Sequence, residues 1–231
     1  MGGSINYLSI AIMILFIYMI GRGYNKGFLR IVVTFIGVVA ILIAVKKISP
    51  YVSDYLINNT SAYSKIQVSI TEKFAEANQK YDNRVPENQV LTINSYDVPD
   101  LLKNNLIINN TQQMYKNLLV SVFEEYVSAY LAKTAINALS FVALFITFLV
   151  AFKVLLFVVD IISKIPIIKG VNKAAGALLG LAEALIIVWI FFFIVVMFIG
   201  YDSGSKLLAM ISESKFLSFL FNYNVLIGII S

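Results

Sequence analysis

The chain has 231 residues, of which 59% are hydrophobic and only 13% charged, and its net charge is +5. Soluble domains carry about 25% charged residues, so a water-soluble globule of this size could not bury so much apolar surface. The composition therefore predicts an integral membrane protein. The absence of histidine and cysteine excludes imidazole catalysis, disulfides and the common zinc and haem sites. We expect no catalytic residue, no cofactor, no metal site and no surface for nucleic acid.

Four apolar stretches are long enough to cross a membrane, for which a helix needs about 20 residues. They are residues 1–21, 28–45, 134–159 and 174–201. The first stretch lacks the charged start and the small-residue cleavage site of a signal peptide, so we expect it to remain as a helix. The pattern predicts an all-α polytopic membrane fold, with four transmembrane helices arranged as two hairpins.

The short connections inside the two hairpins are rich in cations, and this sets the predicted orientation. Cytoplasmic loops carry an excess of lysine and arginine. Both connections are therefore expected in the cytoplasm, with both termini and residues 48–133 outside, although further lysines flank the spans on that outer side. The cations of the segment 21–30 are Arg22, Lys26 and Arg30, and those of the segment 160–173 are Lys164, Lys169 and Lys173.

The predicted division has four parts: a first hairpin (1–47), an extracytoplasmic helical domain (48–133), a second hairpin (134–201) and a C-terminal segment (202–231). In the outer domain, Ile66, Ile70, Phe74, Ala77 and Tyr81 fall at helix spacing. The run 90–93 is a weak strand candidate. No breaker follows Thr111, so a single helix is expected from Thr111 to Asp160. The C-terminal segment is too interrupted by polar residues for a fifth span and predicts an amphipathic helix on the outer interface.

The two hairpin connections share the pattern basic-Gly-x-Asn-Lys, at Arg22–Lys26 and Lys169–Lys173. An internal repeat explains it, and so does the separate need of each cytoplasmic turn for a glycine and for cations. Small residues on one face follow each connection, among them Gly176 and Gly180 in the fourth span. Such rows let helix backbones approach closely. Arg22, Gly23, Gly176 and Gly180 are therefore candidate packing residues.

Two charged residues fall inside predicted spans, Lys153 in the third and Glu183 in the fourth. Counted at 1.5 Å per residue from the connection between those spans, both lie at a similar depth. Ionisable residues inside membranes commonly mark functional sites. Lys153 and Glu183 are therefore candidate functional residues. We expect them to pair with each other, with Asp160 as the competing partner for Lys153.

These features together resemble the colicin V production protein family, which are small bacterial inner-membrane proteins. The resemblance rests on Gly21–Gly23 with Gly27 and Gly37, on Pro166, Gly170, Asn172, Gly176, Gly180 and Leu181, and on the segment 206–223. Family members often have an aspartate at the start of the first span, where this chain has Asn6, and many have a basic residue near Glu183. Residues 53–124 resemble an enlargement that short members lack.

The sequence is consistent with three functional hypotheses. The resemblance implies a non-catalytic protein that supports toxin production or export, or envelope homeostasis, as a scaffold or accessory to a transport system. Its partners would be the lipid bilayer and other membrane or envelope proteins. The second hypothesis is a channel or transporter, acting as a homo-oligomer through Lys153 and Glu183. The third is a sensor whose outer domain binds a ligand.

Overall fold

The computed structural model describes residues 6–26, 28–160 and 171–227. Over these ranges the chain forms helices and turns without any strand, which confirms the predicted all-α class. The helices are α1 (Tyr7–Lys26), α2 (Phe28–Asn59), α3 (Ala62–Gln79), α4 (Pro86–Asn94), α5 (Asp100–Ile108), α6 (Gln112–Leu118), α7 (Phe123–Asp160), α8 (Val171–Met197), α9 (Asp202–Glu213) and α10 (Lys215–Asn222).

Four of these helices are long and apolar enough to cross a membrane, as the sequence predicts. The candidate spans are Tyr7–Lys26, Thr34–Asn59, Phe123–Val154 and Lys173–Met197. The helices extend beyond the apolar stretches, because backbone hydrogen bonding continues into polar sequence where packing supports it. Thus α2 continues through Pro50 as far as Asn59, and α1 continues to Lys26.

The chain divides into two compact units. The first unit comprises Met1–Pro50 and Ser140–Phe191, and the second comprises Tyr51–Leu139 and Phe192–Ser231. The second unit therefore groups the C-terminal helices α9 and α10 with the segment between the two hairpins. Fully buried apolar side chains form the cores, including Val45 and Phe141 in the first unit and Ile70, Leu106, Leu131 and Phe221 in the second.

The helix predicted from the spacing of Ile66, Ile70 and Phe74 is present as α3, and it buries Ile70 and Phe74. The strand predicted at 90–93 is wrong, because these residues lie in α4. A short apolar run cannot be assigned from periodicity alone. The helix signal is Pro86 at the first turn of α4, where its missing N–H costs nothing.

The expected continuous helix from Thr111 to Asp160 is wrong between Leu119 and Val122. Thr111 caps α6, as its hydroxyl accepts a hydrogen bond from the Met114 N–H at 3.3 Å. α6 then ends at Leu118, and the next residue, Leu119, has a φ of 56° in the left-handed region. Leucine rarely adopts this conformation, so the sequence gives no warning of the break. α7 begins only at Phe123.

The C-terminal segment forms two short helices, α9 and α10, instead of one. Ser214 separates them, and its hydroxyl accepts from the Leu217 N–H at 3.3 Å, which caps α10. Each helix buries one face, with Leu208 and Ile211 on α9 and Leu217 on α10. The amphipathic character is therefore confirmed, while the position on the outer interface stays a prediction.

Candidate functional site at the α1–α8 junction

A close approach of two helices in the first unit, α1 and α8, is built on glycine. A Cβ atom on Gly23 would overlap the carbonyl oxygen of Gly176 and lie 3.1 Å from the Cα of Gly180. A Cβ atom on Gly180 would overlap the carbonyl oxygen of Met19 and lie 3.3 Å from the Cα of Gly23. Only the hydrogen atom of a glycine fits at Gly23 and at Gly180, as in helix pairs joined by weak Cα–H···O hydrogen bonds.

The three glycines of this junction, Gly23, Gly176 and Gly180, are those that the sequence marked as packing residues. Of the two explanations given for the shared pattern basic-Gly-x-Asn-Lys, the need of a turn for glycine does not apply to Gly23. Gly23 lies inside α1 and is buried, so its missing side chain serves close approach instead of a positive φ. Residues 161–170 of the second connection, with Lys164 and Lys169, lie outside the described residues.

An ion pair lies next to the glycines. The Nη2 atom of Arg22 is 3.3 Å from the Oε2 atom of Glu183. The Arg22 side chain is 32% exposed and that of Glu183 is 10% exposed. Glu183 follows Gly180 by three residues, which places both on one face of α8. We call the set Met19, Arg22, Gly23, Gly176, Gly180 and Glu183 the α1–α8 junction.

The predicted pairing of Lys153 with Glu183 is wrong, because Glu183 pairs with Arg22. Lys153 is exposed, on a face of α7 that also exposes Val150 and Val154. Equal depth does not imply contact, since two helices can carry charges at one level and direct them to different sides. The side chain of Asp160, the competing partner, lies outside the described residues.

A second charged interaction between α1 and α8 was not predicted. The Nζ atom of Lys173 lies 5.2 Å from the centroid of the Tyr24 ring, within the range of a cation–π interaction. Its signal was present in the sequence, because Tyr24 follows Gly23 and Lys173 precedes Gly176 by three residues. The interaction extends the attachment of α1 to α8 beyond the glycines.

Sequence reasoning also missed polar interactions at the start of the predicted third span. Ser53 of α2 donates a hydrogen bond to the side-chain oxygen of Asn137 of α7, and Ser53 is buried. The buried hydroxyl of Thr134 donates to the carbonyl of Tyr130 at 2.9 Å. Side-chain hydrogen bonds between helices hold membrane bundles together. The available signal in the sequence was the presence of Ser53 and Asn137 close to apolar runs.

The chemistry of the junction is that of a closed contact. Its two charges compensate each other, and the backbone approach leaves no space between the helices. Within 6–26, 28–160 and 171–227, no group of three His, Cys, Asp or Glu residues could hold a metal ion. Every buried side-chain nitrogen or oxygen in those ranges has a hydrogen-bond partner. The junction can therefore fix two helices and carry a compensated charge pair inside a membrane.

The fold and the junction define a polytopic α-helical membrane protein whose first and last spans are in backbone contact. Residues 113–224 match the family model of the colicin V production protein. This part of the chain is therefore similar to the colicin V production protein family, and the resemblance predicted from the sequence is confirmed. The matched region contains Gly176, Gly180 and Glu183, whereas Arg22 and Gly23 precede it. Neither the curated proteins nor the solved structures give a match.

Proposed function

We propose that this protein is a non-catalytic scaffold or accessory to a transport system in the bacterial inner membrane. It would support toxin production or export, or envelope homeostasis, through contacts with other membrane or envelope proteins. The observation that carries the proposal is the α1–α8 junction. Its charges compensate each other and its backbones touch, so it supports a fixed arrangement of helices on which partners can assemble.

Affinity purification from native membranes tests this proposal. We expect a transport complex or an envelope enzyme to co-purify with the parent protein. Gly23→Leu should abolish the co-purification, because a large side chain forces α1 away from α8. Gly21→Leu is the matched control, since a Cβ atom on Gly21 meets nothing within 4 Å. A parent protein that purifies only as a homo-oligomer would contradict the proposal.

The proposed orientation keeps both hairpin connections in the cytoplasm, and the cations of those connections support it. The chain has no cysteine, so single introduced cysteines can report the orientation without labelling of native thiols. A cysteine at Asn88 should react with an impermeant thiol reagent in intact cells, and one at Ser163 should be protected. The reverse pattern would invert the orientation.

The second candidate function is a channel or transporter formed by several copies of the chain. The Arg22–Glu183 ion pair inside candidate spans favours it, because charges at membrane depth often mark pathways. Purified protein in liposomes should then conduct ions or small solutes above protein-free liposomes, and Glu183→Gln should change the rate. Equal leakage from both kinds of liposome would contradict this candidate.

A further inference from the structure

The second unit contains a cleft that the proposed function does not use. The cleft has a volume of about 500 Å³ and lies between the start of α7 and the turn that precedes α4. Ligand sites have volumes of about 300–1,000 Å³. Three aromatic residues line the cleft, Tyr81, Tyr115 and Phe123, together with Glu124.

The carboxylate of Glu124 is held in a fixed position by a buried network. Its Oε1 atom accepts a hydrogen bond from the Asn83 amide at 2.9 Å. Asn83 is 8% exposed, and its amide also donates to the carbonyl of Asn78 at 2.7 Å. The side-chain oxygen of Asn83 accepts from the Thr92 hydroxyl at 2.6 Å. Asn83 therefore cannot turn away, and Glu124 is oriented before any ligand arrives.

The charge of Glu124 has no cationic partner among the described residues. The cation that lines the cleft is Arg84, and its guanidinium is bonded to both carboxylate oxygens of Asp82 at 2.9 and 3.0 Å. Glu124 is also not the residue that bonds the backbone before α7. The neighbouring Glu125 does so, because its Oε2 atom accepts a hydrogen bond from the Ser121 N–H at 3.1 Å.

The aromatic wall beside this carboxylate is rigid and neutral. The Tyr115 ring stacks on the Tyr126 ring, with centroids 5.0 Å apart and planes at 10°. Burial, and then the charge of Glu124, raise the pKa of Tyr115 to about 12. Tyr115 therefore stays a neutral phenol at physiological pH. The faces of such rings attract cations.

We propose that this cleft binds a small organic cation, a protonated amine or quaternary ammonium group on an apolar body. The cationic group pairs with Glu124, and the apolar body packs against Tyr115 and Phe123. A carboxylate with aromatic neighbours is the combination that recognises ammonium groups. An anion would be repelled by Glu124.

Isothermal titration of the full-length protein in a non-ionic detergent tests the proposal, with benzylamine as the probe. Benzyl alcohol is the neutral control, because it has nearly the same shape without the charge. We expect benzylamine to bind at least tenfold more tightly than benzyl alcohol, and this difference should shrink at high salt. Equal binding of the two compounds by the parent protein would overturn the proposal, with no variant needed.

Two variants locate the site. Glu124→Gln keeps the shape and the acceptor for Asn83, and it should weaken benzylamine at least tenfold. Glu125→Gln removes the adjacent charge and should leave the affinity unchanged. If Glu124→Gln unfolds at the parental temperature and binds benzylamine as the parent does, the proposal fails. A trilysine peptide that binds more tightly than benzylamine, and depends on Glu124, would overturn the assignment to a small organic cation in favour of a protein side chain.

Discussion

We predict that a single methyl group added at Gly23 or at Gly180 of the α1–α8 junction forces α1 and α8 apart. A Cβ atom on Gly23 would lie 3.0 Å from the carbonyl carbon of Gly176 and closer still to its oxygen. The obstacle is backbone, which cannot rotate away as a side chain can. The helices must therefore move apart and lose the packing around the methyl group. Overpacking of this kind costs about 1–3 kcal/mol.

The comparison with Gly21→Ala isolates this cost. Alanine favours a helix over glycine by about 0.8–1.0 kcal/mol, and that gain applies to Gly21→Ala and Gly23→Ala alike. Gly21 and Gly23 both lie on α1, but a Cβ atom on Gly21 meets nothing within 4 Å. The difference between the two variants is therefore the clash itself, about 1–3 kcal/mol. Gly180→Ala should resemble Gly23→Ala, because its methyl group overlaps the carbonyl oxygen of Met19.

Unfolding in mixed micelles with increasing dodecyl sulfate measures these differences. The single tryptophan of the chain, Trp189, lies on α8 and gives a fluorescence signal from the affected helix. Gly37→Ala is a second control, because the three atoms nearest to its methyl group belong to the ring end of Phe152, a side chain that can move where backbone cannot. If Gly23→Ala and Gly21→Ala unfold at the same dodecyl sulfate fraction, the helices are not in contact and the argument fails.

Two further predictions concern ion pairs. Arg22→Glu and Glu183→Arg should each lower the yield of folded protein, since an uncompensated charge inside a span costs up to about 2.5–3.5 kcal/mol. The double variant should recover the parental yield. If Lys153→Glu instead recovers the yield of Glu183→Lys, the partner of Glu183 is Lys153 and not Arg22. Lys73 donates to Asp202 at 2.6 Å, and this bond lowers the pKa of Asp202 below its usual range. The stability that the pair adds should be present above pH ~4 and be lost as the pH falls through the lowered value, and Asp202→Asn should remove this dependence from acid unfolding followed by circular dichroism.

The sequence predicted the membrane class and the packing glycines for a clear physical reason. Apolar stretches of span length have few alternatives in a folded protein, because the backbone must satisfy its hydrogen bonds inside lipid. Gly176 and Gly180 stand four residues apart on one helix face, which is the spacing that close helix packing uses. Both signals are local, so they are visible in the sequence alone.

The partner of Glu183 was not visible for the opposite reason. Arg22 and Glu183 are separated by 161 residues, and which faces of α1, α7 and α8 meet depends on the packing of the whole bundle. Depth along a helix follows from counting residues, but rotation about its axis does not. The break at Leu119 is similar, because the left-handed backbone at this position runs against the preference of leucine. The Leu119 side chain is 92% exposed, so the conformation goes with backbone hydrogen bonds at the end of α6, such as that from the Val120 N–H to the Tyr115 carbonyl at 3.0 Å.

The same separation has a consequence for the biogenesis of the protein. Chains grow at about 5–20 residues per second, so the 161 residues between Arg22 and Glu183 take about 8–32 s to synthesise. During that interval the guanidinium, close to the end of its helix, must be accommodated by water or lipid headgroups. Glu183 then enters a bilayer that already holds its counter-charge. The order of synthesis therefore gives the more deeply buried of the two charges a partner on arrival.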